Sequence, residues 1–523
     1  MNQNRYNGFI NIYKEPGWTS MDAVAKLRGI LGMRKIGHAG TLDPMAEGVL
    51  PVALGRATRD IDLIGDGTKE YKAVMRLGIV TDTQDTTGSV ISTYNGVMPS
   101  DEDVKAAAES FLGSYEQLTP MYSARKVNGK KLYEYAREGR EVERRTKQVE
   151  ILSISTGPVK RSTESGMPEA ELTVTCSKGT YIRTLCHDIG EKLGCGAAMC
   201  SLLRTRVGDF DISGALRLSD VAVLAANGDI DSVLTIKHPT AVSIGKFDGT
   251  HLGHMALIKE LKKTAQEQKL KTAVLIFDAR DSGISDSAER KKLLYEADID
   301  YCIGMKLTTE FMHMRADDFL QRILKDKLCM RAIVAGEDVS FGYKKEGNAA
   351  FLKERAESGG FTVDLIEKIK QDEDAISSSR IRAEISAGNI AEAERLLGRN
   401  YEVEASCILR SSVNASIAAN AAACSADAGE ADACAGEKSG AADKSGASDG
   451  HSAAGSIIFR VREGYILPPS GSYRMSVCAG KAAFEADMQL DTDKRFFNLN
   501  DEAGAGNLYA LKKDAPVRLS FIN

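Results

Sequence analysis

The chain has 523 residues, too many for one hydrophobic core, and at about 150 residues per domain it divides into three or four units. Its 68 basic residues against 73 acidic ones leave a net charge of −5, which excludes a uniformly cationic coat, so any nucleic-acid contact has to come from local patches. No basic flank followed by an apolar segment opens the chain and nowhere do 18 apolar residues run together, so no membrane contact and a cytoplasmic location are expected.

Ten cysteines lie scattered without CxxC pairs and read as reduced thiols, with no metal site expected. The first element, Gly8-Phe9-Ile10-Asn11-Ile12-Tyr13, reads as a strand that Lys14-Glu15-Pro16-Gly17 ends as a turn. Ser20 is expected to cap the next helix, in which Val24, Leu27 and Leu31 recur at helical spacing. Lys14 stands at the strand exit, where a lysine reads by default as a solvated surface charge.

The next stretch is GHAGTLDPMAEGVLP, residues 37–51. Glycines 37, 40 and 48 with prolines 44 and 51 forbid a regular helix or central strand and leave a shaped loop around one acid, Asp43. On the residues alone, this is either a structural turn whose Asp caps a neighbour or a loop that presents a reactive group. The run resembles, nearly residue for residue, the signature GHxGTLDPxAxGVLPV of the tRNA pseudouridine-55 synthases, the TruB-type family, and residues 12–20 resemble that family's opening DKPxGxTS motif. The resemblance implies an α+β pseudouridine synthase fold with a mixed, largely antiparallel sheet over residues 1–235. It also implies that Asp43 is the catalytic nucleophile, that His38 stacks in the disrupted T loop of tRNA, and that Lys14 belongs to the RNA-binding set.

Around Lys69 to Gly78, Tyr71, Ala73 and Met75 alternate with charged neighbours as a strand with one buried face. By itself Tyr71 is a packing residue; similarity to the family's KxYxxxxxLG motif implies that it lies against the target base. Between Arg125 and Lys147 there are nine Lys or Arg against four Asp or Glu, a local excess of five. A charge run is by default a solvated face, but Tyr122, Tyr133 and Tyr135 interleave with it, a pattern suited to phosphate contact and stacking on an RNA loop. The segment resembles the family's mobile thumb, PMYSAxKxNGKKLYEYAR, which implies RNA contacts from Arg125, Lys126, Lys130 and Lys131.

Glu171 to Cys176 alternates as a strand, and Ser177-Lys178-Gly179-Thr180 leads into a helix with Ile182, Leu185, Ile189 and Leu193 on one face, closed at Gly194. Arg183 falls in the first turn, where the helix dipole opposes a cation, so it calls for an acidic or phosphate partner. The family's CSKGTYIRT motif implies that Arg183 pairs with Asp43 and that Tyr181 flanks the site. Isomerising uridine breaks its bond through N1 and rejoins the base through C5, which requires no redox agent, metal or cofactor. The target base has to be extruded first, and Asp43 then acts as nucleophile or as the base driving cleavage. Members of this family commonly carry a C-terminal RNA-binding domain, whereas here residues 237–240 run straight into a second unit.

That unit, residues 238–402, opens with the strand Ala241-Val242-Ser243-Ile244, the loop GKFDGTHLGH and a helix with Leu257, Ile258, Leu261 and Ala265 on one face. A strand, a glycine loop and a helix present backbone amides to phosphate in α/β folds. With Ile376-Ser377-Ser378-Ser379-Arg380-Ile381-Arg382, the segment resembles the FMN adenylyltransferase half of bacterial bifunctional riboflavin kinase/FAD synthetase. The resemblance implies an α/β Rossmann-like nucleotidyltransferase domain in which His251, His254, Ser378 and Arg382 bind nucleotide, with ATP, magnesium and FMN as ligands. The family's Pro-His-Pro step after Phe277 is replaced here by Asp278-Ala279-Arg280-Asp281-Ser282-Gly283. Two readings stay open: an active FAD synthetase, or a remnant kept for ATP binding or packing.

Residues 412–455 are dominated by Ala, Ser, Gly and Asp and read as a linker. Residues 456–523 alternate like strands and resemble a degenerate riboflavin kinase barrel lacking its GxPTAN motif, so no kinase activity is expected. The leading functional expectation is isomerisation of the T-loop uridine at tRNA position 55, with the T arm as partner. The alternatives are a tRNA-binding or folding module and a protein whose main activity is FAD synthesis.

Overall fold

The computed structural model describes residues 5–410, 457–499 and 516–522, apart from residues 66, 124, 128, 141, 164, 279–282, 464, 480 and 481. The first unit contains β1 (Gly8–Lys14), α1 (Ser20–Leu31), β2 (Ile36–His38), β3 (Glu47–Leu54), β4 (Lys69–Leu77), β5 (Gly113–Leu118), β6 (Thr146–Thr156), β7 (Pro168–Cys176), α2 (Ile182–Leu193) and β8 (Ala197–Val207). These strands form a path β1-β3-β8-β4-β7-β6-β5 through a ten-stranded sheet. Its pairs are antiparallel except β3 with β8, so the sheet is mixed and largely antiparallel, as expected. In β4 and β7, Tyr71, Ala73, Met75, Leu172 and Val174 alternate inward and share one core with Leu185 and Ile189 of α2. This is what a sheet with one helix-covered face requires.

α1 corrects one expectation. Its cap is Thr19, whose hydroxyl accepts the Asp22 N–H at 3.1 Å while Asp22 accepts the Thr19 N–H at 2.9 Å. Ser20 is thereby freed to face inward, where it serves the site described below.

In the second unit, β9 (Thr240–Gly245), β10 (Lys271–Asp278), β11 (Tyr301–Lys306), β12 (Met330–Gly336) and β13 (Thr362–Ile366) form an all-parallel sheet in the order β11-β10-β9-β12-β13. The central strands are apolar runs without alternation, as burial on both faces demands. The order reverses at β9, which leads through the GKFDGTHLGH loop into α3 (Leu252–Glu267). α4 (Ser287–Glu296) and α5 (Ser378–Ala387) complete the parts that matter here.

The last strands, β14 (Glu402–Arg410), β15 (Ile457–Val461), β16 (Gly471–Ala479), β17 (Ala482–Asp491), β18 (Phe496–Leu499) and β19 (Pro516–Phe521), close into a barrel in the order β14-β15-β18-β17-β16-β19. This moves the start of the β domain from the expected 456 to Glu402, where the second unit was expected to end. Val403, Ala405 and Cys407 of β14 sit in one core with Val517 and Leu519, so the barrel begins before the low-complexity stretch rather than after it. The expected linker at 412–455 lies outside the described residues.

The units are not beads on a string. Tyr6, Phe9, Ile230 and Ile236 share a core with Ala273, Tyr301 and Ile303 of the parallel-sheet unit. Across this junction Asn7 donates to the Tyr295 hydroxyl at 2.6 Å, Arg56 to the Ile299 carbonyl at 2.7 Å and Lys327 to the Ser232 carbonyl at 2.6 Å. Ile376, Ile381 and Ile385 in turn pack with the barrel. Among the described residues no helix is long and apolar enough to cross a membrane.

Candidate functional site

The glycine- and proline-rich run is a loop only over residues 39–46, since Gly37 and His38 end β2 and Glu47 to Pro51 belong to the interior strand β3, which corrects the expectation of an unbroken loop. It is held from several sides. Ser20 Oγ accepts the Leu42 N–H at 2.9 Å, and the Gly17 N–H donates to the Pro44 carbonyl at 2.9 Å. Arg204 of β8, only 1% exposed, donates from Nε to the Val49 carbonyl at 2.8 Å and from its terminal nitrogens to the Gly40 and Thr41 carbonyls at 3.1 and 3.4 Å. Gly48 has φ +106°, and a Cβ there would stand 2.3 Å from the Arg204 carbonyl oxygen, so only glycine lets the start of β3 lie this close to β8.

Lys14 completes the clamp and corrects its assignment to RNA. It is 1% exposed, and its ammonium donates to the carbonyls of Ala46 at 2.5 Å, Glu15 at 3.1 Å and Pro44 at 3.2 Å. Burial lowers its pKa to about 8, with nearby Asp43 pulling the other way. A lysine with all three protons engaged indoors fixes the loop and has none left for a phosphate.

The fixed loop presents Asp43. Its carboxylate pairs with Arg183 NH2 at 3.3 Å and keeps a third of its side-chain surface open. Burial pushes its pKa above the ordinary carboxylate range, Arg183 opposes that shift, and Asp85 adds to it. Arg183, in the first turn of α2, also faces Asp85 at 3.6 Å and donates to the Tyr122 carbonyl at 2.6 Å. The cation that the helix dipole opposes is thus placed between two carboxylates and a carbonyl.

Tyr71 of β4 stands in register with Arg204 of β8, and burial raises its hydroxyl pKa, with Arg204 lowering it. His38, at the end of β2, is half-buried; burial first and Arg204 second push its pKa down, so the ring is neutral at pH 7 and its Nδ1 has no partner. The backbone of Tyr181, just before α2, is held in both directions by the Gln117 side chain, at 2.7 and 2.9 Å. Asp43, Tyr71, Arg183, His38 and Tyr181 line one cavity of about 980 Å³, together with Lys131 of the basic segment.

Arg137 of the same segment also lines that cavity, whereas Arg125 and Lys130 are not among its lining residues. Arg125 is exposed and donates to Thr119 Oγ at 2.8 Å, Lys130 is paired with Glu138, and the Lys126 side chain lies outside the described residues. Sequence reasoning missed Asp85, Arg204, Ser20 and Gln117. Asp85 lies in the Thr-Asp-Thr-Gln-Asp run, whose composition gives no sign of which acid turns inward; its Oδ1 accepts Thr83 Oγ at 2.8 Å and the Thr87 N–H at 3.0 Å.

In the second unit the two nucleotide motifs meet at Asp248. Its backbone carbonyl accepts Ser378 Oγ at 2.9 Å, its Oδ2 faces Arg382 Nε at 3.5 Å, and its Oδ1 accepts the N–H groups of Ile284 and Ser285 at 2.8 and 3.2 Å. His251 and His254 stack with ring centroids 3.7 Å apart, and the Nδ1 of each is buried without a partner. Burial, helped by Arg399, lowers the His251 pKa to about 4; burial, helped by His251 and Arg290, also lowers that of His254. Both rings are therefore neutral at pH 7 and able to donate one N–H each. Of the replaced flavin-side step, residues 279–282 lie outside the described residues.

Residues 28–182 match the TruB family pseudouridylate synthase N-terminal domain, residues 183–235 the tRNA pseudouridylate synthase B C-terminal domain, and residues 234–380 FAD synthetase. The chain is 43% identical over 236 residues to tRNA pseudouridine synthase B of Lactococcus lactis subsp. lactis (strain IL1403), covering 45% of this chain and 71% of that protein. It is 50% identical over 231 residues to tRNA pseudouridine synthase B of Lachnoclostridium phytofermentans, covering 44% and 75%. Among solved structures, the archaeal box H/ACA sRNP Nop10-Cbf5 complex is 30% identical over 44% of this chain and 57% of that one, with a TM-score of 0.32, too low to bear on the fold. Identity at this level over more than two thirds of those synthases places the chain in the TruB family of tRNA pseudouridine synthases, here continued by a FAD synthetase domain.

Proposed function

We propose that the protein converts the T-loop uridine at position 55 of tRNA into pseudouridine, with Asp43 as nucleophile. One observation carries this reading: a single carboxylate on a rigid loop, paired with Arg183 at 3.3 Å, opens into the same cavity as Tyr71. The flipped uridine enters that cavity, at an unstacking cost of a few kcal/mol offset by contacts from Lys131, Tyr181 and His38. Asp43 bonds to the nucleoside as the N1 glycosidic bond breaks, the freed ring turns, C5 joins the sugar and the bond to Asp43 breaks, returning the carboxylate, while the C5 proton leaves and N1 gains one; no net oxidation occurs. Arg183 keeps Asp43 ionised and stabilises negative charge on the departing ring, and Tyr71 lies against the base. The test is incubation with an unmodified tRNA transcript and mapping of pseudouridine. Product at position 55 made by the native protein and not by Asp43→Asn supports the reading, and turnover by that variant would overturn it.

For the second unit, the meeting of both nucleotide motifs at Asp248 favours ATP binding, with the triphosphate against His251, His254, Ser378 and Arg382. An FMN phosphate oxygen then attacks the α-phosphorus of ATP, pyrophosphate leaves, and FAD forms. The neutral imidazoles donate hydrogen bonds to the charge on the leaving group. Magnesium would arrive with the triphosphate and neutralise part of its charge, since among the described residues no cluster of three or more metal-ligating side chains stands ready. Titration of the full chain with ATP, followed by an assay for FAD from FMN, separates an active enzyme from a domain that only binds nucleotide. We take residues 1–235 and 238–402 as the units that act, and the two substrates assign the protein to the cytoplasm.

A further inference from the structure

The barrel lacks the GxPTAN motif of the kinases it resembles, yet its polar groups grip one segment of the FAD synthetase domain, residues 283–289. The grip comes from the connection between β15 and β16. There the Ile466 N–H donates to the Gly283 carbonyl at 3.0 Å, Arg462 to Asp286 Oδ2 at 2.7 Å, and the Tyr465 hydroxyl to Glu289 Oε2 at 3.1 Å. The connection is itself fixed to the barrel. Arg495 donates to the carbonyls of Arg462 at 3.1 Å and Tyr465 at 2.8 Å, and Tyr465, 1% exposed, shares a core with Ile284.

From the gripped segment two routes lead into the nucleotide cradle. Ile284 and Ser285 give their N–H groups to Asp248 Oδ1, and Ser285 Oγ accepts the Gly249 N–H at 3.0 Å. Glu289 Oε1 faces a terminal nitrogen of Arg399 at 3.8 Å, and the same nitrogen donates to the Gly249 carbonyl at 2.9 Å. Both the N–H and the carbonyl of Gly249 are therefore held by groups that the barrel reaches. Gly249 has φ +77° and lies two residues before His251. A glycine has the widest choice of backbone conformations, so what holds its two peptide groups decides where the histidine points. Burial pushes the Glu289 carboxyl up to about 7, and Arg399 and then Tyr465 oppose that rise, as partners of its charged form do.

We propose that the barrel serves the cradle: Arg462, Tyr465 and Glu289 are positioning residues that fix residues 283–289 and, through Ser285 and Arg399, hold Asp248 and Gly249 where the two nucleotide motifs meet. This rests on the reading of the Asp248 cradle as an ATP site. Each of the three acts through Asp248 or Gly249 rather than on the nucleotide.

The full chain is titrated calorimetrically with ATP and magnesium. Arg462→Ala with Tyr465→Phe is expected to raise the dissociation constant about fivefold or more, whereas Arg462→Lys, which keeps a cation for Asp286, stays within about twofold of the native chain. Val477→Ala truncates a fully buried side chain of β16 in the barrel core, away from the grip. It is expected to lower the melting temperature and leave ATP affinity as it is. Tyr465→Phe alone keeps the ring in place and decides the matter where the double variant melts early. An unchanged dissociation constant in the grip variants overturns the proposal, as does an equal loss of affinity in Val477→Ala. If the native chain takes no ATP, the ATP reading falls, and the proposal is then judged on the His251 imidazole, followed by NMR and identified by its loss in His251→Asn. In the native chain that ring stays neutral between about pH 8 and 5.5, and in the grip variants it takes up its proton within that range. Equal titration of the ring in native and grip variants overturns the proposal.

Discussion

The two sites treat charge in opposite ways. Around Asp43 the innermost charges are answered by the protein itself: Arg183 lies between Asp43, Asp85 and the Tyr122 carbonyl, and Lys14 spends its protons on three carbonyls. Around Asp248 the imidazoles are neutral and their Nδ1 atoms unmet. A site that attacks a neutral base needs one carboxylate held still, and it can complete its network in advance. A site for a polyanion keeps donors open, because a network closed within the protein would have to be broken for the ligand to bind.

The comparison is broken most sharply at Asp43. Asp43→Asn keeps the shape but removes the nucleophile, so turnover is expected to fall on the order of 10⁴-fold or more while tRNA still binds. Single-turnover pseudouridine formation and filter binding read the two halves. Substantial residual turnover would mean that the closed network around Asp43 is structural only. The next largest effect tests the clamp: Gly48→Ala adds a Cβ 2.3 Å from the Arg204 carbonyl oxygen at φ +106°. Strain and overpacking together should cost about 4 kcal/mol in denaturant unfolding. Gly17→Ala, with positive φ but open space around it, should cost about 1 kcal/mol.

These variants also mark how far the sequence could be read. The pairing of Asp43 with Arg183 was legible through the family resemblance; the residues alone gave a locked loop around one acid and a cation in a helix first turn that calls for an acidic or phosphate partner. Asp85, Arg204 and Gln117 were not, because their roles come from strand neighbours far away in the chain. Arg204 reaches the loop only because β8 pairs with both β3 and β4. Lys14 was misread for the same reason, since a strand exit looks solvated until the loop from Pro44 to Ala46 folds over it. The α/β unit followed from the strand, glycine loop and helix at residues 241–265 and from the family resemblance, whereas β14 was left out of the β domain, whose start was expected at 456, because a low-complexity stretch separates it from β15.

At the second site pH is the sharper tool. The fold holds His251 neutral with a pKa near 4, whereas the unfolded chain takes up its proton near 6.5. Between these values the unfolded state binds more protons, so stability falls as pH drops from 6.5 to 4, by about 3 kcal/mol for this residue. Glu289, pushed up to about 7 by burial with Arg399 opposing, works the other way between 4.5 and 7. The expected observation is therefore a difference: His251→Asn should lose less stability than the native chain over pH 6.5 to 4. Parallel unfolding curves for the two proteins would show that the histidine is not buried neutral.

The smallest expected effect concerns the basic segment, and there the structure divides residues that the sequence treated alike. Lys131 lines the cavity and its ammonium lies 3.4 Å from the Tyr133 hydroxyl, with no carboxylate pairing it among the described residues, so it can meet a phosphate directly. Lys130 is already paired with Glu138 and lies 4.9 Å from the Tyr135 ring. An exposed pair of that kind is worth about 0–1 kcal/mol and must be given up before the lysine contacts RNA. Reversing charge at Lys131 should therefore lower the slope of log affinity for tRNA against log salt by about one unit, and reversal at Lys130 by less. Reversal at Lys126 joins the series as the third position. Equal slopes for Lys130→Glu and Lys131→Glu would show that the ion pair to Glu138 is immaterial in solution, and slopes unchanged from the native protein would show the whole segment to be a solvated face that tRNA never touches.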